Sequence, residues 1–332
     1  MKAIVYTEYG GPEVLRVKEV PDPAPAENEV LIKVHTVNVN YGDLLARNFG
    51  NINKDNFHMP SLLMFPSRIA FGYNSPKKNI LGNEFAGVVK AAGAKVTKFK
   101  PGDYVFGYSG QSMGAYAEYI CMKESGMIAA KPSSLSFEEA AAIPYSGLMA
   151  VSLLSKVEIK PGQKVLVNGA SGGIGSGVVQ IAKSLGAEVT GTCGAPRMDY
   201  VKALGADYII DYKSNDFTVN GEKYNLIFDV LGKLDYAKCK NSLTDNGVMI
   251  YASFKMDKLV KTLTNSMTGK HKIICSLAPE NPDVLRKVSG LAEAGKFKSI
   301  IDRTFPLELA ADAHAYAESG AKRGSVVLRV VN

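Results

Sequence analysis

The chain is poor in residues that staple small folds or hold metals. Its four cysteines, Cys121, Cys193, Cys239 and Cys275, are scattered over 332 residues with no C-x-x-C among them. That excludes a disulfide framework and a zinc knuckle. Its four histidines, His35, His58, His271 and His314, are equally dispersed, and no pair has metal-ligand spacing. No run of about 18 apolar residues occurs, so no membrane span is predicted. The opening Met1-Lys2-Ala3-Ile4-Val5-Tyr6 reads as a strand rather than a signal or transit peptide, and a cytoplasmic location is the expectation. Charge does not gather into blocks. The net charge is +7, yet the lysines are spread along the chain and no RNA-binding motif appears. The basicity therefore reads as solubility and attraction for anionic ligands, with no specific nucleic-acid partner expected.

What is present suffices for a large core: 46% of residues are hydrophobic and 21% charged. The length suits about two domains. Residues 1–126 read as mostly strand. Ala3–Tyr6, Val14–Val20 and Val30–Val37 are β-branched runs, punctuated by Gly10-Gly11-Pro12 and Pro21–Pro25. A short helix is predicted over Asp43–Asn48, and strands at Phe85–Val89, Tyr104–Gly107 and Tyr116–Cys121. The stretch 49–79 has no clear period and carries an apolar piece, Met59–Pro66. It reads either as a loop covering a site or as an insertion packed on the core.

From residue 127 the pattern changes. A helix is predicted over Phe137–Ile143 with Ser136 as its cap, broken at Pro144, and another over Ser146–Leu154. Strands at Val165–Val167, Glu188–Thr192, Tyr208–Ile210, Asn225–Val230, Gly247–Tyr251 and Lys272–Cys275 then alternate with helices, including Met198–Leu204 and Asp235–Leu243. This alternation predicts an α/β fold with a doubly wound parallel sheet. The tail, 277–332, reads as helix, strand, helix, strand, and is expected to return to the first domain.

The turn after Val167 is Asn168-Gly169-Ala170-Ser171-Gly172-Gly173-Ile174-Gly175. It follows the dinucleotide fingerprint except that Ala170 replaces the first glycine. Alone, such a turn is read equally well as a tight turn with no ligand. Placed in the first strand–helix turn of a parallel sheet, it predicts a dinucleotide site built by Ser171, Gly172, Gly173, Ile174 and Gly175, with the pyrophosphate on the helix N-terminus. An acidic residue about 20 positions on would bind a ribose 2′-OH. Here that place is Thr192-Cys193-Gly194-Ala195-Pro196-Arg197, with no carboxylate. NADPH is therefore the expected cofactor, with Cys193, Arg197 and Tyr212 at its adenosine end. Arg197 also reads as a solvated helix-start residue.

The motifs together resemble the zinc-independent quinone oxidoreductase branch of the medium-chain dehydrogenase/reductase superfamily. They are Val37–Asp43, Gly82–Val89, Pro101–Gly107, Ala142–Gly147, Ala170–Gly175 and Gly324–Leu328, and the resemblance spans nearly the full length. It implies a GroES-like β-barrel catalytic domain from both chain ends (1–126 and 277–332), a Rossmann NADP-binding domain between them (127–276), and a homodimer. In zinc members of the superfamily, Cys and His hold the catalytic metal; the corresponding places here are Asn40 and Asn83, and 143–146 offers no Cys. Amides are poor zinc ligands beside thiolate and imidazole, so no metal is expected. That points to hydride transfer onto a small hydrophobic acceptor needing little activation, a quinone or an enone. A 2-alkenal or enoyl-thioester reductase is the alternative enzyme; an NADPH-binding sensor or RNA-associated protein is the alternative outside enzymes.

By the same resemblance Asn40 and Asp43 are candidate acceptor-site residues, Asn40 as a hydrogen-bond donor and Asp43 as an orienting group. Asp43 also reads as a cap carboxylate. Tyr145 is expected near the nicotinamide, and Tyr41 is a second candidate donor. Met149 stands where the family often has Thr. Leu231, Gly232, Ser253 and Phe254 follow strand ends that face the cofactor. Lys322 and Arg323 are candidates for its phosphates, or solvated charges. No residue matches a general acid, which leaves water to protonate the product.

Overall fold

The computed structural model describes residues 1–53, 61–253, 257–262, 270–276 and 278–331. It divides into two compact units. The first comprises Met1–Asn53, Phe65–Tyr145 and Glu280–Asn332, and the second is built on Ser146–Pro279.

In the first unit, the strand Glu29–Val39 buries Val30, Ile32 and Val34 while the residues between them stay half-exposed. That two-residue period marks a strand with one face on a core. From Thr36 onward every residue is buried, because the strand there is central. It pairs antiparallel with Glu84–Ala92 on one edge and with Tyr119–Lys123 and Ser325–Arg329 on the other. The seven-stranded sheet continues through Tyr104–Tyr108 to Ile128–Ala130, and beyond Ser325–Arg329 to the parallel Ile301–Pro306. Both ends of the chain thus contribute strands to one sheet. Lys2–Val5 and Arg16–Glu19 form a separate antiparallel pair.

The second unit holds a six-stranded sheet with every pairing parallel. Its order is Tyr208–Asp211, Glu188–Cys193, Lys164–Asn168, Tyr224–Asp229, Leu243–Tyr251, Lys272–Cys275. From Lys164–Asn168 the chain adds strands first toward one edge of the sheet and then, from Tyr224–Asp229 on, toward the other. The order therefore reverses beside Lys164–Asn168, where doubly wound sheets bind ligands.

Local differences from the sequence reading have physical reasons. The units part at Tyr145, not after 126, because the capped helix Phe137–Ala141 packs on Glu29–Val39 and Glu84–Ala92. Pro144 does not merely break a helix. It opens the next one, Pro144–Leu154, where its missing N–H is harmless. Part of the unperiodic 49–79 stretch is helical, Met64–Phe71, with Phe65 and Ile69 exposed; residues 54–60 lie outside the described ones. The helix expected over Asp235–Leu243 is limited to Tyr236–Cys239 and a 3-10 turn, Lys240–Ser242, before Leu243 enters a strand.

Candidate active site

In the second unit the strand Lys164–Asn168 ends in a turn whose left-handed residue is Gly169, φ +87°. The helix Gly173–Ser184 follows, with Gly172 as a cap that offers no side-chain acceptor. The first-turn amides, of Gly173, Ile174 and Gly175, are thus left for another acceptor. The glycines differ in purpose. A Cβ at Gly175 would sit 2.2 Å from the Gly169 carbonyl oxygen, so Gly175 permits the close helix–strand contact. A Cβ at Gly173 would meet no described atom within 4 Å. That open cradle fits a pyrophosphate. Ala170 is accommodated by its neighbour in the sheet: a Cβ at Gly191 would lie 2.9 Å from the Ala170 methyl.

Three side chains bind the central strand ends together. Thr192, Asn168 and Asp229 lie in register on adjacent strands. Asn168 Nδ2 donates to Asp229 Oδ1 at 2.9 Å, and Thr192 Oγ1 donates to Asn168 Oδ1 at 2.7 Å. Thr192 Oγ1 in turn accepts from the Gly169 N–H at 3.2 Å. Asp229 also accepts from the Leu231 and Leu234 N–H groups at 3.1 and 2.9 Å. Burial pushes the Asp229 carboxyl up, opposed by these donors. The row therefore ties the fingerprint turn to the loop carrying Leu231 and Gly232.

That loop meets the next strand end. Gly232 has φ +62°, and a Cβ there would come within 2.0 Å of Ser253 Oγ. The Ser253 hydroxyl is fully buried without a partner among the described residues. The structure thus brings Leu231, Gly232 and Ser253 to the turn; Phe254 lies outside the described residues. At the adenosine end, Cys193 is buried and its carbonyl accepts from the Tyr212 N–H at 3.2 Å, with the Tyr212 ring exposed. Burial raises the Cys193 thiol, which makes it a contact rather than a nucleophile. The strand's own end carries no carboxylate. Asp211, opposite Cys193 in the sheet, is engaged by the Lys213 N–H and Ser214 Oγ.

In the first unit a second polar group gathers. Asn40 caps the helix Tyr41–Arg47 in a reciprocal box with Asp43: the Asp43 N–H donates to Asn40 Oδ1 at 3.2 Å, and the Asn40 N–H to Asp43 Oδ2 at 3.1 Å. Asn40 Nδ2 donates to Glu84 Oε2 at 2.7 Å and to Asn83 Oδ1. Asn38 Nδ2 donates to the same Glu84 oxygen at 2.8 Å, and the Tyr145 N–H to Glu84 Oε1 at 2.8 Å. Burial raises the Glu84 carboxyl, while these three donors and nearby Lys322 favour its charged form. Lys322 therefore stands by this cluster. Arg323 donates its N–H to Asp302 at 3.0 Å. Tyr145 packs on Tyr108 at 5.4 Å between ring centres, and Tyr41 is exposed at the start of its helix.

Asp43 is fully buried. Besides Asn40 it accepts from the Gly82 N–H at 3.0 Å and from the Tyr116 hydroxyl. Burial lifts its carboxyl to about 7 against those donors, helped by the nearby Glu84. Behind Tyr116 stand His314, 2.9 Å from the tyrosine oxygen, then Arg47 and Glu318. Sequence reasoning placed Asn40 and Asp43 together but missed Glu84, Tyr116, Arg47 and His314. The Gly82-Asn83-Glu84 motif was the available signal for the first; the others come from distant parts of the chain. Among the described residues no three His, Cys, Asp or Glu side chains gather in a metal-binding group, and no helix is long and apolar enough to cross a membrane.

The comparisons agree with this geometry. Residues 26–133 match the alcohol dehydrogenase GroES-like domain, and residues 204–328 match a family described as zinc-binding dehydrogenase. A chloroplastic quinone-oxidoreductase QR1 of Triphysaria versicolor is 30% identical over 99% of this chain and 98% of its own. An NADPH-dependent alkenal/one oxidoreductase of Arabidopsis thaliana is 30% identical over 99% of this chain and 79% of its own. Among solved structures, an Escherichia coli quinone oxidoreductase complexed with NADPH superimposes with a TM-score of 0.80 at 26% identity, over 99% of this chain and 100% of that one. Through these matches the chain belongs to the zinc-independent quinone oxidoreductase branch of the medium-chain dehydrogenase/reductase superfamily.

Proposed function

We propose that this protein is an NADPH-dependent oxidoreductase that reduces quinones or α,β-unsaturated carbonyl compounds without a metal. The observation that carries the reading is the open, glycine-lined turn at the reversal point of the parallel sheet. The names of the relatives, quinone and alkenal/one oxidoreductases, support the acceptor class.

When bound, NADPH supplies the hydride. The protein's part is to hold and orient. The amides of Gly173 to Gly175 receive the pyrophosphate, with Ser171 and Gly172 shaping the turn. The missing carboxylate after Thr192 leaves room for a 2′-phosphate, to which Arg197 brings a positive charge, while Tyr212 covers the adenosine. Leu231, Gly232 and the Ser253 hydroxyl serve the nicotinamide end. Asn40, Asp43, Tyr145 and Tyr41 belong to the acceptor side, and water delivers the proton. The reading includes a homodimer through the edge of the parallel sheet and a cytoplasmic location.

Purified protein should oxidise NADPH in the presence of a benzoquinone or an alkenone, with NADPH preferred over NADH by at least about tenfold in kcat/KM, equal to ~1.4 kcal/mol of discrimination. A panel that includes 2-alkenals and an enoyl-CoA ranks the acceptors. No turnover with any of them, or a preference for NADH, would overturn the proposal.

A further inference from the structure

We infer that Asn83, through its side-chain amide nitrogen, is the donor that binds the acceptor oxygen; this rests on the proposed reduction of a quinone or enone. The argument is one of hydrogen-bond direction. The backbone N–H of Asp43 only donates, so the atom of Asn40 it meets must be Oδ1. Asn40 Nδ2 therefore faces Glu84 and Asn83, and both of its hydrogens are used there. Asn40, the obvious candidate, has no N–H left for a ligand. The Asn83 atom that accepts from Asn40 must be Oδ1, so Asn83 Nδ2 is turned away from the cluster. It has no hydrogen-bond partner among the described residues. Nor is it fully buried, unlike the hydroxyls of Ser152, Thr244 and Ser253, which are sealed off without a partner among the described residues. Asn83 is thus a nearly buried residue, 5% exposed, with one oriented donor kept open.

Its backbone is held on both sides. The Asn83 carbonyl accepts from the Ser109 N–H at 2.7 Å, and the preceding Gly82 is tied to Asp43. The space beside the amide is kept by Gly42, where a Cβ would lie 3.3 Å from Asn83 Nδ2 and 3.0 Å from Asn40 Oδ1. Gly42 is itself only half-buried. Hydride arriving at the conjugated carbon would move a π pair onto the acceptor oxygen. A fixed N–H donor aimed at that oxygen stabilises the charge as it grows, and water then protonates it.

Three variants test this against the wild type: Asn83→Ala, Asn83→Asp and Gly42→Ala. Asparagine and aspartate have nearly the same shape, but the carboxylate has no N–H to offer. The expectation is a fall of about 100-fold in kcat/KM for the acceptor in both Asn83 variants, the size found for loss of one such donor. The Kd for NADPH should stay within about twofold. Gly42→Ala gains helix propensity but sets a methyl 3.0 Å from the Asn40 cap oxygen, so its thermal unfolding is measured beside its kinetics. It should still raise KM for bulky acceptors by crowding the amide. An active wild type with both Asn83 variants within about threefold of it would overturn the inference alone. A wild type inactive on every quinone and enone would overturn the functional reading, and the inference with it.

Discussion

Arg47 Nη1 lies 3.0 Å from His314 Nδ1, and both residues are buried. Arginine only donates, so His314 Nδ1 accepts and the ring proton sits on Nε2. Nε2–H then donates to the Tyr116 oxygen at 2.9 Å, and the Tyr116 hydroxyl donates to Asp43. One direction runs through the chain and ends on a buried carboxylate. The histidine is held neutral: burial, then the Arg47 charge, pushes it down to about 3.

Two opposite pH dependences follow. His314 is protonated more easily unfolded than folded, so it adds stability that is present above about 6.5 and lost as the pH falls toward 3. Asp43, raised to about 7 from 3.8, binds its proton more tightly when folded. Its contribution is present below 3.8 and lost as the pH rises through 7. Between these limits the slopes oppose each other. Urea unfolding of the wild type between about pH 4 and 6.5 should therefore show a small net slope from this pair. His314→Gln should turn it downward with rising pH, by up to ~1.4 kcal/mol per unit, and Asp43→Asn upward. Identical slopes in all three proteins would refute the assignment.

Tyr116 is the link on which both ends depend. Tyr116→Phe leaves the His314 N–H without an acceptor and removes one donor from Asp43. Two buried partners left short predict a loss of ~2–4 kcal/mol in unfolding free energy. A loss under about 1 kcal/mol in chemical denaturation would show that the network relaxes around the gap.

The fingerprint glycines should separate binding from folding. Gly173→Ala adds a methyl to open space, so Tm should move by no more than about 2 °C, while NADPH affinity falls at least about tenfold as the backbone loses its approach to the pyrophosphate. Gly175→Ala drives a methyl into the Gly169 carbonyl oxygen, so both Tm and affinity should fall. Fluorescence titration with NADPH beside thermal unfolding checks both. Full affinity in Gly173→Ala would mean that no ligand approaches that backbone.

The sequence showed the parallel sheet and its turn because their signal is local. A β-branched run, glycines and a helical period sit within twenty residues from Val165. Asn40 and Asp43 were legible through the Val37–Asp43 motif that carries the family resemblance. Arg47 and His314 were not, since 267 positions separate them and neither has a motif. Met64–Phe71 was missed as a helix because its exposed Phe65 and Ile69 break the usual link between apolar residues and a buried face. Hydrogen-bond direction, which moves the donor role from Asn40 to Asn83, is invisible without coordinates.

The row at the sheet's reversal point has the same design as the chain behind Asp43. Donation runs from the Gly169 N–H to Thr192, to Asn168, to Asp229, ending again on a buried carboxylate. Thr192 is the member with a clean test, because its methyl and hydroxyl can be removed separately. Thr192→Val keeps the shape but leaves the Gly169 N–H and Asn168 Oδ1 unpaired, which predicts a loss of ~1–3 kcal/mol in stability. It also frees the turn that presents the pyrophosphate amides, so NADPH should bind roughly tenfold more weakly, ~1.4 kcal/mol. Thr192→Ser keeps the hydroxyl and should bind NADPH like the wild type. If serine fails as badly as valine, the methyl's packing governs the turn and the hydrogen-bonded row does not.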